Sequence, residues 1–510
     1  MERPWYARRI GGIALVPLVT LVLAACGAGG EGSEAPVTVA ETVTATEPVG
    51  PVLSVLTLNV EYGGRLVSFD NVIAAIRLSG AQIVGINEAQ GSTADVAAAL
   101  GWRHYDPRSG IVSQLPLIPA GGDTRHVFVE VEPGRVVAVA NAHLTSDPYG
   151  PDLVAAGEDV AAVLANEMDL RVPEVEAVLA PLEGLDPELP RLLIGDLNSP
   201  SHRDWTAAAV GIRPQVRYPV AWPVTTIVEA AGFVDTYRAL LPDPVADAGL
   251  TWPAGRPALD EGWNPPADAP VDRIDYVFSA GPIEPIAVRI VGEVAPDVDV
   301  TVDPWPTDHR GVVVDLRLTG RAIAAPPTVA PERLVVPVGD PLVVRVASAP
   351  AGARLRVEAE DGAVRAETNV ADGALLEIAT TGWAPTEHRL RLLGDDGRSI
   401  TDSSVWLTAP GAGVSLTSTQ AVYAAGSPVR IGWYGAPANR WDWIGIYPRG
   451  ADPTSADYLT WSYTGASVAG EVVLDGAAKG TWPLPAGRYS AYLLLDDGYE
   501  IAGRVDFAVK

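Results

Sequence analysis

The chain has one cysteine and two lysines in 510 residues, and both scarcities exclude something. With Cys26 the sole thiol, no internal disulfide can form, so stability has to come from packing. Lysine occurs only at Lys479 and Lys510, and the formal net charge is −27. Proteins that grip duplex nucleic acid tightly neutralise several phosphates with a basic face, and this balance argues against one. Long apolar runs are missing too. The stretch from Ile10 to Leu23 lacks the uninterrupted length of a bilayer-spanning helix. What is present is an ordinary globular composition, 48% apolar against 19% charged, which can bury a core. The length exceeds what one core usually supports and suggests about three or four domains.

Arg3, Arg8 and Arg9 precede the apolar run, and Leu23-Ala24-Ala25-Cys26 closes it. A basic start, a short apolar stretch and small residues at its end spell a secretory signal. The closing residues resemble a bacterial lipobox, which implies that Cys26 is lipidated and becomes the first residue of the mature protein. An ordinary signal peptide that happens to contain cysteine is the alternative. Residues 1–26 thus read as a lipoprotein signal peptide, exporting the protein and anchoring it on the outer face of the bacterial cell membrane. Residues 27–50, rich in Gly, Ala, Thr, Val and Glu without periodicity, read as a flexible tether spanning roughly 25 to 30 Å.

Short apolar segments alternate with helical ones from residue 51 to about 320. Strands are predicted at 53–60, 82–87, 127–132, 135–141, 191–196, 273–279 and 311–317. Helices are predicted at Asp70 to Leu78 and Ala94 to Leu100, and proline breaks some of the others. Near-continuous Val, Ile and Leu in the strands indicate sheets covered by helices, hence an α/β layered domain. Ala322-Ile323-Ala324-Ala325-Pro326-Pro327-Thr328 has linker composition. Beyond it the helical periodicity disappears. Strands at 342–347, 354–359 and 388–393, separated by Gly, Pro and Asp turns, fit an immunoglobulin-like β-sandwich over 330–410. A second β-sandwich is predicted over 413–510, after Pro410-Gly411.

Polar residues gather where the apolar strands stop. Arg191-Leu192-Leu193-Ile194-Gly195-Asp196-Leu197-Asn198 ends in a carboxylate and an amide two residues apart. If the strand continues that far, alternation projects Asp196 and Asn198 the same way, while Gly195 lets another backbone or a ligand come close. Asn59 and Glu61 close the first strand, Asn87 and Glu88 the second, and His143 a later one, and Asp308 and His309 precede the last. Phosphoester hydrolysis needs a cation, a positioned water and help for the leaving group. Glu88 and Asp308 are the hard oxygen donors that Mg2+ or Mn2+ prefers, with Asn59 contributing an amide oxygen or fixing a ligand. Asp275, in Arg273-Ile274-Asp275-Tyr276, can orient the His309 imidazole from another strand. Each segment alone reads as a cap or a turn, but together they describe one acidic, histidine-containing cleft.

In this order the segments resemble the endonuclease/exonuclease/phosphatase superfamily, the deoxyribonuclease-I-like enzymes, over about residues 51–318. The resemblance implies a four-layered α/β sandwich, placed at 51–320, and a divalent-metal-dependent phosphoesterase using Mg2+ or Mn2+, with Ca2+ possible. The superfamily's Asn falls on Asn59, its metal-binding Glu on Glu88 and its histidine on His143. Its Gly-Asp-x-Asn pair falls on Asp196 and Asn198, its strand aspartate on Asp275, and its closing Asp-His on Asp308 and His309. This implies catalytic roles for His143, Asp196, Asn198, Asp275 and His309, and metal binding by Asn59, Glu88 and Asp308. His309, held by Asp275, would orient or deprotonate the attacking water, which Asp196 would position. Asn198 and His143 would hold phosphoryl oxygens, and His143 is also a candidate acid for the leaving group. Glu61 stands where some members have another acidic metal ligand. Asn87 replaces the Gln that usually precedes the metal Glu.

The partner is a phosphoester substrate. His143 resembles the branch with deoxyribonuclease-I-like enzymes, sphingomyelinases and inositol-phosphate phosphatases, whereas abasic-site repair enzymes tend to have tyrosine there. Between residues 51 and 320, 17 arginines stand against 37 Asp and Glu with no lysine, a balance of −20. Nucleic acid therefore remains a possible substrate through bridging cations, with tight duplex binding unexpected. A phosphodiesterase or nuclease leads. A phosphomonoesterase on inositol-phosphate or lipid-like substrates, or a non-catalytic surface-binding lipoprotein, is the alternative. Arg65, Arg103, Arg203 and Arg310 either clamp a phosphate or are surface charge, and His202 either lines the cleft or packs elsewhere. The segment Trp441-Asp442-Trp443-Ile444-Gly445-Ile446-Tyr447-Pro448 and the aromatic strands after it resemble the SKICH-type β-sandwich. Those aromatics read as core, and the acidic turn Leu495-Asp496-Asp497-Gly498-Tyr499 either binds Ca2+ or is solvated. The residues imply no oligomeric state.

Overall fold

Strand alternation decides what each face of the first sheets meets. Along Val52–Asn59, Leu53 and Val55 point one way and Leu56 and Leu58 the other, and all four are fully buried. Leu53 and Val55 join Ile83, Val139, Ile194, Val277 and Val314 in an apolar cluster shared by two sheets. Leu56 and Leu58 pack with Ile86 against Val72 and Ile76 of helix Phe69–Ser79 and Val96 of helix Thr93–Leu100. The second sheet repeats the arrangement, with Ala138, Ala140, Leu193 and Phe278 against helices Val160–Glu183 and Pro223–Ala230. Each fully buried aliphatic side chain contributes about 1.5 to 3 kcal/mol, which is why these strands carry apolar residues on both faces. The result is an α/β fold.

This computed structural model describes residues 50–121, 126–260, 263–439, 441–476 and 479–510. The predicted signal peptide with Cys26, and all of the predicted tether but Gly50, lie outside them.

The seven-stranded sheet runs Val300–Thr301, Ile283–Gly292, Gly311–Leu318, Val52–Asn59, Ile83–Asn87, Ile111–Ser113, His104–Asp106. The six-stranded sheet runs Leu117–Pro119, His126–Glu132, Arg135–His143, Arg191–Asp196, Asp275–Ala280, Val234–Asp235. Proline does not break the long helix: Pro173 and Pro181 sit inside the continuous Val160–Glu183. An interior proline costs about 3 kcal/mol, and burial of Val172, Val175, Val178 and Leu182 against the sheet offsets it.

Among the described residues after 327 the elements are all strands. A three-stranded sheet shares with a five-stranded one a core that includes Val344, Val357, Leu390 and Leu407. A further three-stranded sheet and a six-stranded one share Ile431, Ile444, Leu474, Leu493 and Phe507. Residues 49–510 group as one unit, so contacts between the last sheets and the α/β part belong to a single body.

Candidate active site

Register assembles the site. Asp196 stands opposite His143 on the parallel strand Arg135–His143 and opposite Asp275 on the antiparallel strand Asp275–Ala280. In the other sheet Asn59 is paired with Asn87, one residue before Glu88. The close approach that Gly195 allows is to another backbone: its φ is +127°, and a Cβ there would lie 1.8 Å from the Ala142 carbonyl oxygen. Two amides then tie the sheets together. Asn59 Nδ2 donates to Glu88 Oε1 at 3.0 Å and Asp196 Oδ2 at 3.2 Å. Asn87 Oδ1 accepts from the Asp196 N–H at 3.0 Å, and its Nδ2 donates to the Ala142 carbonyl at 2.9 Å.

Two imidazoles face the same carboxylate. His309 Nδ1 is 3.0 Å from Asp275 Oδ2, and its Nε2 is 3.6 Å from Asp196 Oδ2. His143 brings Nε2 to within 3.7 Å of that oxygen from the other side, with Nδ1 3.5 Å from Asp497 Oδ2. Asn198, at φ 46°, donates its N–H to Asp196 Oδ1 at 2.8 Å and its Nδ2 to the Leu144 carbonyl at 2.9 Å. Asp308 Oδ2 accepts from Trp252 Nε1 at 3.0 Å, while Oδ1 is buried without a hydrogen-bond partner among the described residues.

The electrostatics are those of buried, opposed charges. Burial pushes the Glu88 carboxyl up, and the Asp308 carboxylate adds to this against the lowering effect of His143. Asp196 is likewise raised by burial, with His309 pulling it back and Asp275 pushing it further. Burial alone would lower both imidazoles. Asp497, Asp196 and Glu88 instead lift His143 to about 9, and Asp275, Asp196 and Asp308 lift His309 well above its ordinary value.

The donor set fits a divalent cation. Asp308 Oδ1 and Asp275 Oδ1 are buried acceptors without hydrogen-bond partners among the described residues, and hard oxygen donors crowded in a buried site repel one another until a cation neutralises them. Asp196, Asp275 and His309 have ligand atoms within 4.8 Å of one another. In that trio the Asp275–His309 hydrogen bond already engages two members.

Glu88, Asp196, Asp275, Asp308, His143 and His309 thus converge, with Asn59 and Asn198 beside them. Asn59 turns its nitrogen, not its oxygen, toward the carboxylates, so in this arrangement it fixes ligands. Glu61 is not free to bind a metal: both its oxygens accept from Arg256, at 2.6 and 2.7 Å, and Oε2 also accepts from the Asp308 N–H. Arg65, Arg203 and Arg310 pair with Asp95, Glu229 and Glu293. His202 lies against Thr225 and Glu229. Sequence reasoning missed Thr251, whose Oγ1 accepts from the N–H groups of Ile274 and Asp275, and Trp252. Both lie in a segment without strand or helix periodicity. It gave Asp497 no place in the cleft, whereas Asp497 accepts from the Tyr463 hydroxyl at 2.6 Å and faces His143.

Residues 56–309 match the Endonuclease/Exonuclease/phosphatase family. The chain belongs to that family, whose members are phosphoester hydrolases working with divalent metals, and it is such an enzyme. A curated relative from Caenorhabditis elegans, the uncharacterized protein F14F9.5, is 27% identical over 230 residues, covering 42% of this chain and 71% of that one. Among solved structures, the endonuclease/exonuclease/phosphatase from Beutenbergia cavernae is 18% identical, with a TM-score of 0.33, and spans 70% of this chain and all of that one. The inositol polyphosphate 5-phosphatase domain of spsynaptojanin, in complex with inositol (1,4)-bisphosphate and calcium ion, is 10% identical. It covers 52% of this chain and 83% of its own, with a TM-score of 0.28.

Proposed function

We propose that the protein is an exported phosphodiester hydrolase, a phosphodiesterase or nuclease, held at the outer membrane face through lipidated Cys26. We read its catalytic part as a four-layered α/β sandwich using Mg2+ or Mn2+, with two β-sandwiches behind it, the last of SKICH type. The observation that carries the hydrolase reading is Asp196, buried between the Nε2 atoms of two imidazoles and tied to Glu88 through Asn59. A diester is favoured over a monoester by charge: it brings one negative charge into a cleft crowded with carboxylates, where a monoester brings nearly two.

Glu88 and Asp308 would hold a divalent cation, which would neutralise the phosphoryl oxygens. The chain's own residues do the rest. Asp275 engages His309 Nδ1, which leaves Nε2 directed at the space beside Asp196 where the attacking water sits. Asp196, fixed by the Asn87 side chain and the Asn198 N–H, orients that water and takes its proton, with His309 Nε2 beside it. His143, on the opposite side of Asp196, carries the proton that the leaving oxygen needs, and Asn198 stands beside it for a phosphoryl oxygen.

The test is hydrolysis of bis-p-nitrophenyl phosphate by the full chain with Mg2+, followed by DNA, RNA, sphingomyelin and inositol phosphates. Asp196→Ala is expected to lower kcat about 10³-fold or more, and chelation to abolish turnover. Turnover indifferent to both would overturn the site.

A further inference from the structure

The turn 495–500 joins strands Gly487–Leu494 and Ile501–Val509 of the last six-stranded sheet. Asp496 and Asp497 take consecutive left-handed conformations, φ 49° and 58°, which non-glycine residues hold only when surroundings enforce them. Here both sides do. From its own sheets, Asp442 Oδ1 accepts the Asp496 N–H at 3.1 Å, the Trp441 carbonyl accepts the Asp497 N–H at 2.9 Å, and Trp443 Nε1 donates to the Gly498 carbonyl at 3.0 Å. From the α/β part, the Gly91 N–H donates to Asp496 Oδ2 at 2.7 Å and Gln90 Nε2 to the Asp497 carbonyl at 3.4 Å, just after Glu88. Trp441 sets its ring edge-on to His143 with centroids 5.4 Å apart.

This framework delivers one carboxylate to the catalytic cleft. Asp497 Oδ1 accepts from the Tyr463 hydroxyl at 2.6 Å, and Oδ2 faces His143 Nδ1 at 3.5 Å. Both of the facing atoms are buried, and neither has another hydrogen-bond partner among the described residues. We propose that Asp497, carried by the C-terminal sheets, is a positioning residue that completes the active site by holding His143 with its Nε2 toward Asp196. The arrangement mirrors Asp275 on His309, so the two imidazoles that flank Asp196 are each backed by an aspartate, one from within the α/β part and one from outside it. A third group that orients an imidazole acts on turnover more than on binding.

The inference rests on the hydrolase reading, and the experiment separates the two. Full-length wild type, Asp497→Asn, Asp497→Ala, Asp497→Glu, Tyr463→Phe and Asp196→Ala are compared on bis-p-nitrophenyl phosphate with Mg2+. Asp497→Asn and Asp497→Ala are expected to lower kcat about 10- to 100-fold with KM within about threefold, and Asp497→Glu to recover most of the loss. Tyr463→Phe is expected to lower kcat about threefold by loosening Oδ1. Turnover by Asp497→Asn within about twofold of wild type, a loss confined to KM, or a Glu variant no better than Ala overturns the proposal. The imidazole nitrogen resonances of histidine-labelled protein give a readout independent of turnover. Asp497→Asn, nearly isosteric, is expected to move the His143 Nδ1 resonance while unfolding at the wild-type temperature; an unmoved resonance overturns the proposal even where Asp497→Ala fails to fold. Wild type as inactive as Asp196→Ala would instead count against the hydrolase reading.

Discussion

At the scale of single residues, orientation decides function more than identity does. Asp275 accepts from His309 Nδ1, so Asp275→Asn offers that nitrogen an amide and favours the wrong tautomer. The expected loss in kcat is about 10²- to 10⁴-fold with the fold retained, measured by steady-state kinetics beside circular dichroism. A histidine outside the site predicts acid sensitivity. His126 is buried against Phe128, neither ring nitrogen has a hydrogen-bond partner among the described residues, and burial holds its pKa down at about 4. The unfolded chain binds that proton near 6.5 and the folded one only near 4, so stability falls as pH drops through this window, by about 3 kcal/mol. His126→Phe should flatten that part of a melting-temperature profile; an unchanged slope between pH 7 and pH 4 would refute the assignment. The acids, amides and imidazoles of the cleft were legible because each stands at or beside one end of an apolar strand. Asn59's orientation was not, since an amide's two ends look alike in sequence. Asp497 was hidden for another reason: a D-D-G turn between strands is ordinary loop chemistry until tertiary contacts give it a partner.

Among elements, the strand pair 135–143 and 191–196 is the most demanding. Gly195→Ala drives a methyl into the Ala142 carbonyl in a backbone conformation foreign to alanine, and should cost roughly 3 kcal/mol or more, seen as a lower urea midpoint. Behind the site, Arg273 donates to Asp204 and Asp235, and Arg238 also donates to Asp204, with all four side chains buried. Arg273→Ala takes the guanidinium from buried Asp235 and leaves Asp204 only Arg238, and is expected to destabilise by about 3 to 5 kcal/mol, by the same measurement. Most central strands were legible because burial on both faces demands unbroken Val, Ile and Leu. Strand Ile283–Gly292 was not: only four of its ten residues are buried and a bulge after Pro285 breaks its alternation. Helix Val160–Glu183 was obscured by prolines that packing overrides.

Over the whole molecule, charge sets the terms. A chain of net charge −27 that buries Glu88, Asp196 and Asp308 in one cleft should be stabilised by the cation it needs. Mg2+ at about 100 times its dissociation constant should add about 2.7 kcal/mol, raising the melting temperature in a scan against chelator. Glu88→Gln should shrink that rise, and an equal rise in both proteins would remove Glu88 from the cation site. The docked C-terminal turn has a consequence in time as well as in space. Asp496 is synthesised 405 residues after the Gly91 it grips, roughly 20 to 80 s at ribosomal speed. Until that last hairpin closes, His143 has no aspartate behind it. On the proposed role of Asp497, the site is complete only once the end of the chain has been made and docked.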